Sequence, residues 1–396
     1  MAETRSSSPA VAPLYAAGFT TAFGAHSIAA GLGAEQSALG TSLLTLGIML
    51  AVYDVAEVIL KPIFGSLSDR IGAKPVILGG LVAFCLFSTV GIFAATPLAL
   101  GLVRLGQGAA ASAFSPASSA AVARLSGGKN TGKFFGRYGS WKTLGYVLGP
   151  LLGAVLIWAG GFPALFASMS IISAAAALWV ARSMPALPIL PKQRYTLKDL
   201  AVQSFEPSFL VPTLALACAT GALGTAIGFL PKVGTDLHLT SGQSMILVSV
   251  LALASALIQP WVGRMRDQGK ISAVVGMNAG LLIIAAGLAL VALLPQLLTL
   301  IFGALLIGAG IGVTTPLGFA HLAATTPEHR MGRTMGSAEL GREVGDAGGP
   351  LLVGGIATAL GVNFGLGALA AVLTVVAIFC ALKLKNLPKF GSGLKD

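Results

Sequence analysis

Asp54, Glu57 and Lys61 lie at spacings of three and four residues inside an otherwise apolar run near residues 41–63. On a helix those spacings place all three side chains on one face, with the glutamate four residues ahead of the lysine, the favourable order for pairing. A second run, near 335–359, carries Glu339, Arg342, Glu343 and Asp346 at spacings of three, one and three, again a single polar stripe. The proton affinity of a buried carboxylate depends on its burial and on the charges beside it. Asp54, Glu57, Glu343 and Asp346, with Arg104 and Arg342 near enough to act on them, therefore make up a candidate proton-carrying set. The alternative reading of the same residues is a static salt-bridge network that sets packing or gating. Lys61 and Glu339, nearer one end of their runs, are expected to gate.

The polar residues that could meet a small molecule are few. His26 is a candidate because imidazole titrates near neutral pH. Gln107, Gln259 and Asn278 read first as interhelical hydrogen-bonding groups, with Gln107 kept as a possible contact. Phe19, Phe23, Tyr53, Phe114 and Phe229 are the candidate aromatic contacts. Sparse charge in the first and seventh runs predicts a largely apolar cavity, suited to an amphiphilic substrate.

The elements that must position these residues follow from composition. The chain has 396 residues, 55% hydrophobic and 10% charged. A soluble protein carries roughly 25% charged residues, so this chain must face lipid over much of its area. Runs of roughly 20 mostly apolar residues are long enough to span a bilayer. Twelve such runs occur, near 12–33, 41–63, 75–95, 98–122, 137–159, 163–182, 208–230, 243–263, 271–294, 297–322, 335–359 and 363–384. Each charge at bilayer depth costs about 2.5–3.5 kcal/mol even on an insertion scale, so the two stripes must face protein or a water-filled cavity.

The net charge of +11 does not point to nucleic acid, because the basic residues sit in alternate gaps between runs rather than on one face. Arg70 and Lys74 occupy one gap. Arg124, Lys129 and Lys133 occupy another; Lys192, Arg194 and Lys198 the middle one; Arg264, Arg266 and Lys270, then Arg330 and Arg333, two more. Lys385, Lys389 and Lys395 follow the last run, and Lys232 alone lies in the opposite gaps. Positive loops stay inside, so both termini and the middle segment are expected to be cytoplasmic. Cys85, Cys218 and Cys380 lie in apolar runs with no metal-binding or disulfide spacing. The polar start, Met1 to Pro9, does not resemble a cleavable signal. No cofactor or metal is expected, and neither a phosphate-binding GxxxxGK[ST] loop nor an HExxH or GxSxG motif with plausible partners is present.

The chain also repeats itself. Ser140 to Gly153 parallels Leu340 to Val353, with Lys142 matching Arg342, Gly145 matching Gly345 and Pro150 matching Pro350, an offset of 350 − 150 = 200. Ser115-Pro116 matches Thr315-Pro316 at the same offset, and Gly65 to Lys74 has a degenerate echo in Gly263 to Lys270. Six runs, a polar linker and six similar runs is a parallel-repeat transporter pattern.

Those residues resemble the major facilitator superfamily over nearly the whole chain. The segment Gly65-Ser-Leu-Ser-Asp69-Arg70-Ile-Gly72-Ala-Lys74 matches the superfamily's signature loop between helices two and three, with Ala73 where a basic residue is usual. The resemblance implies a conformational latch there, involving Gly65, Asp69, Arg70, Gly72 and Lys74. Arg104-Leu-Gly-Gln107-Gly108 looks like the family's second motif. Gly145, Gly149, Pro150 and Gly153 resemble the motif associated with proton-driven exporters, although Ala154 replaces a usual glycine; small residues at this spacing also let helices pack closely. The resemblance implies an all-α integral membrane fold of twelve transmembrane helices in two pseudo-symmetric six-helix bundles, 1–182 and 207–396, joined by a cytoplasmic linker, 183–206.

The expected function is proton-coupled export of small amphiphilic molecules across the cytoplasmic membrane, resembling the bacterial drug:proton antiporter branch. The expected partners are substrate, protons and the lipid bilayer, with the protein monomeric and no enzyme. An importer or uniporter of the same fold, for example for a sugar, and a sensor on a transporter scaffold are the alternatives.

Overall fold

The computed structural model describes residues 8–34, 43–127, 130–189, 205–239 and 241–384. Lys129, the basic residues of 190–204 and those of 385–396 lie outside these. The described residues form α1 (Ser8–Ala34), α2 (Leu43–Ile71), α3 (Ala73–Gly91), α4 (Pro97–Leu125), α5 (Thr131–Ser183), α6 (Pro207–Asp236), α7 (Ser241–Asp267), α8 (Ala273–Leu293), α9 (Leu297–Thr325), α10 (Met331–Leu360) and α11 (Val362–Leu384). A short 3-10 turn, Glu328–Arg330, precedes α10. The fold is all-α and spans the membrane many times. Seven of these helices, α3, α5 to α9 and α11, are long and apolar enough to cross a bilayer. Three of the helices that carry buried charges, α2, α4 and α10, fall outside this set, whereas α5, with the buried Lys142, falls within it.

The expected runs near 137–159 and 163–182 both fall within α5. At about 1.5 Å per residue, its 53 residues would extend far beyond a bilayer core of about 30 Å. The chain breaks at Gly160 and Gly161, the latter at φ +66°. That left-handed conformation favours glycine.

Sidedness is inside-out relative to a soluble helix. On α2, Val55, Ile59 and Ile63 are 53%, 60% and 57% exposed, whereas Glu57 and Lys61 are 4% and 1% exposed. Apolar side chains face the surroundings and charges face the interior, as lipid requires.

The small residues of α5 set the approach of α1. A Cβ on Gly145 would lie 2.7 Å from Ala22 Cβ and 2.8 Å from the Phe19 carbonyl oxygen, and one on Gly153 3.0 Å from Ser27. The later repeat does the same: Gly345 abuts the Ala217 backbone of α6, and Gly349 abuts Gly221. Overpacking costs about 1–3 kcal/mol, so Gly145→Ala should lower the melting temperature in detergent. Gly79→Ala, where a Cβ meets nothing within 4 Å, should leave it unchanged or raise it, because alanine is the better helix former.

Candidate functional site: a charged cavity between the two halves of the chain

A cavity of about 220 Å³ lies among α1, α2, α4, α5 and α10. Its lining includes His26, Asp54, Glu57, Lys61, Arg104, Lys142, Tyr146, Glu343 and Asp346. The stripes on α2 and α10 face each other across it.

Two ionic clusters tie the halves together. Lys61 donates to Glu57 Oε2 on its own helix at 2.8 Å and to Glu343 Oε1 on α10 at 2.5 Å. The Tyr53 hydroxyl also reaches Glu57, at 3.5 Å. In the second cluster the cations flank the anion. Glu339 Oε2 accepts from Lys142 Nζ of α5 at 2.9 Å and from Arg342 Nη1 at 3.1 Å. Its Oε1 accepts from Ser119 at 3.2 Å, and Arg342 Nε donates to Thr220 at 3.2 Å. Such extra hydrogen bonds help a buried ion pair to offset the desolvation of its charges.

Other cavity groups are less completely partnered. Asp54 and Asp346 have no hydrogen bond or ion pair with any described residue. The guanidinium of Arg104 stands 4.1 Å over the Tyr53 ring centroid and donates to the Gly24 carbonyl at 3.4 Å. Its Nε is buried without a partner among the described residues. His26 Nδ1 lies 3.1 Å from the Ala22 carbonyl, and its ring meets Tyr146 edge-on at 4.3 Å.

At the end of the helices where the basic loops lie, the halves are clamped. Asp69, at the end of α2, accepts from the backbone N–H groups of Gly332 and Arg333 at 2.7 and 2.9 Å, capping α10. Asp267, at the end of α7, accepts from Gly132 and Lys133 at 2.8 and 2.7 Å, capping α5. A carboxylate at a helix N-terminus satisfies free N–H groups and complements the helix dipole. The glycines allow the contact: a Cβ on Gly65 would sit 2.5 Å from the Gly332 carbonyl oxygen, and Gly132 meets the Gly263 backbone. Losing such a cap costs about 0.5–2 kcal/mol. Asp69→Ala should therefore widen the distance between spin labels at the exposed positions Ile71 and Glu328, read by electron-electron resonance.

The two clamped seams are related by the repeat, and one carries an ionic bridge where the other carries a neutral one. Gln259 of α7 stands where Lys61 stands in α2, 259 − 61 = 198, and Ser255 where Glu57 stands, 255 − 57 = 198. Thr143 corresponds to Glu343, 343 − 143 = 200. Gln259 Nε2 donates to Thr143 at 2.9 Å and to Ser255 at 3.2 Å. The Glu57–Lys61–Glu343 bridge is thus matched by a neutral Ser255–Gln259–Thr143 bridge.

Comparison with known proteins identifies the family. The family model for the Major Facilitator Superfamily fits residues 14–213 and again 212–395. The chain belongs to the Major Facilitator Superfamily. It is accordingly a membrane transport protein rather than an enzyme, a secondary-active carrier of small molecules. It is 22% identical over 355 residues to an uncharacterized MFS-type transporter of Methanocaldococcus jannaschii, covering 87% of this chain and 90% of that one. It is 29% identical to a chloramphenicol resistance protein of Pseudomonas aeruginosa, over 73% of this chain and 72% of that one. A shorter stretch, 30% of this chain and 29% of the relative, is 33% identical to the multidrug resistance protein MdtG of Escherichia coli. Among solved structures, the superfamily transporter FucP in its outward conformation aligns with a TM-score of 0.80 at 16% identity, over 96% of this chain and 99% of FucP. The human organic anion transporter MFSD10 aligns at 0.77 and 19% identity, over 94% and 99%.

Within this superfamily fold, Asp54, Glu57, Arg104, Glu343 and Asp346 come together at the cavity, with Arg342 one step behind them on Glu339. Arg104 is 2% exposed, turned into the protein rather than reaching for the membrane surface. Glu339 is fully buried at 0% and Lys61 is 1% exposed, so both expected gating residues lie inside the protein. The expectation of a largely apolar cavity is also overturned: the charges come from α2, α4, α5 and α10, whereas the prediction considered only the first and seventh runs. Of the proposed substrate contacts, His26 lines the cavity and Tyr53 lies behind Arg104. Phe23 stacks on Phe19, Phe114 packs on Phe84, and Gln107 bonds Ser88. Phe229 packs with the core of the second half. Among the latch residues, Lys74 caps the end of α5 through the Ala181 and Met184 carbonyls, and Gly72 turns the chain at φ +96°. Arg70 is exposed. Lys142 and Tyr146 were missed as site residues. The available signal was a lone lysine within an apolar run, aligned by the repeat with Arg342.

Proposed function

We propose that this transporter is a proton-coupled exporter of small organic molecules. It is built as two pseudo-symmetric six-helix bundles, 1–182 and 207–396, around the charged cavity, with both termini and the 183–206 linker on the cytoplasmic face of a bacterial inner membrane. The observation that carries this reading is the cross-half bridge of Lys61 to Glu57 and Glu343 beside Asp54 and Asp346, which pair with no described residue. A proton arriving at Glu343 would remove one arm of the bridge and so bias the halves toward parting, and its departure would restore the arm. The basic loops support a cytoplasmic clamped end, and on that reading the clamp closes the inner side. The glycines of α5, the halves related by repeat, and the resistance-protein relatives support export by rocking of the halves.

The test is substrate flux and internal pH in proteoliposomes under an imposed pH gradient. Flux in exchange for protons that drops at least tenfold in both Glu343→Gln and Asp346→Asn is the expected result. Proton-independent facilitated flux in the parent protein would overturn the reading.

A further inference from the structure

Two rings from opposite halves of the chain stack on one another. Phe135 of α5 and Phe319 of α9 have centroids 5.4 Å apart and planes 9° from parallel. They are 1% and 3% exposed. Their neighbours fix their place along the helices. Toward the clamped end, Asp267 caps α5 at Gly132 and Lys133, less than a turn before Phe135, and Arg266 donates to the Ala320 carbonyl, next to Phe319. Toward the charged cavity, Lys142 lies about two turns further along α5, and the Arg342 guanidinium stands 5.6 Å over the Phe319 ring. A second cavity, of about 20 Å³, is lined by both rings and by Lys142, Thr220, Thr315 and Arg342. It has room for a single water, with hydroxyls and cations to hold it. Lys142 and Tyr146 line this cavity and the charged one alike, and so form the wall between them. The rings are an apolar layer between that polar interior and the capped helix ends.

The repeat shows that this layer belongs to one seam alone. Phe135 corresponds to Met335, 335 − 135 = 200, and Phe319 to Ser119, 319 − 119 = 200. On that twin seam Ser119 donates to Glu339. The counterpart of Glu339 is Gly139, 339 − 139 = 200, and a Cβ there would collide with Gln259 Oε1. One seam is filled by charge, the other by aromatic faces. We propose that Phe135 and Phe319 are gating residues that form the water and proton seal of the clamped end on the α5 side. A narrow apolar constriction excludes water, and a layer without water does not conduct protons. Because the rings belong to different halves, the seal parts when the halves part. The inference rests on the proposed rocking of the halves and adds two residues whose task is neither to bind substrate nor to carry a proton.

The test is the decay of an imposed pH gradient in proteoliposomes holding the full-length transporter, without substrate, read by an internal pH dye. Phe319→Leu and Phe319→Asn leave side chains of similar size, one apolar and one polar. Decay within twofold of the parent is expected for Phe319→Leu, and decay at least fivefold faster for Phe319→Asn and for Phe135→Ala. Phe84→Ala is the control for loosened packing. Phe84 is 0% exposed and meets Phe114 edge-on at 5.9 Å, both within the first half. Its loss should lower the melting temperature and leave the decay unchanged. Equal decay in the parent, Phe319→Asn and Phe135→Ala would overturn the seal. Fast decay in Phe84→Ala would also overturn it, since the leak would then report general loosening. Substrate flux in the parent that ignores the pH gradient would overturn the proposed coupling and leave the seal standing.

Discussion

Replacing Lys61 with methionine should abolish transport and cost about 3–5 kcal/mol of stability, the usual penalty for stranding a buried charge by deleting its partner. Lys61 is 1% exposed and holds two carboxylates at once, 2.8 Å from Glu57 and 2.5 Å from Glu343. Without it the two acids face each other across the seam with no cation between them, and at least one must take up a proton or pull away. Thermal unfolding in detergent checks the stability, and proteoliposome flux checks the transport. The double variant Lys61→Met with Glu343→Gln should recover a large part of the lost stability, because it removes one stranded charge. It should recover none of the flux. A double-mutant cycle without coupling between the two positions would show that the bridge contributes nothing.

The second large effect belongs to Glu339→Gln. This carboxylate is fully buried, and one oxygen accepts from both Lys142 and Arg342. An amide in its place leaves two cations together without a counter-charge. The penalty should again be about 3–5 kcal/mol, seen as a large fall in melting temperature and loss of transport. Lys142→Met in the Glu339→Gln background should restore stability in part, by removing one of the two repelling charges. Lys142→Met alone should cost less than Glu339→Gln, because Arg342 still neutralises Glu339.

The charged site was largely legible in the sequence because charge is so expensive in an apolar run. Asp54, Glu57 and Lys61, like Glu339, Arg342, Glu343 and Asp346, declared a common face through their helical spacing. Seven of the described helices that contain expected apolar runs are long and apolar enough to cross a bilayer, and Gly145 and Gly149 of α5 were legible because they recur as Gly345 and Gly349. Most of the aromatic contacts could not be read this way. Apolar residues surround a membrane helix on all sides, so no periodicity tells Phe114, packed on Phe84, from a phenylalanine facing the cavity. The partnering of charges was also hidden. That Lys142 reaches Glu339 depends on how α5 approaches α10, and nothing local to either run encodes that approach.

The neutral counterpart of the Lys61 bridge has a consequence for how the two seams respond to their surroundings. Gln259, Thr143 and Ser255 do not titrate, so the strength of that bridge is indifferent to acidity and little affected by salt, while both seams keep their carboxylate caps, Asp69 and Asp267. Its ionic twin changes strength with every proton gained or lost. In a carrier that rocks as a body, the neutral bridge sets a fixed resistance to opening, and the ionic bridge adds a variable one. An ionic bridge on one side and a neutral one on the other would then divide the labour: one copy fixes the resting stiffness of the machine, and the other listens to the gradient.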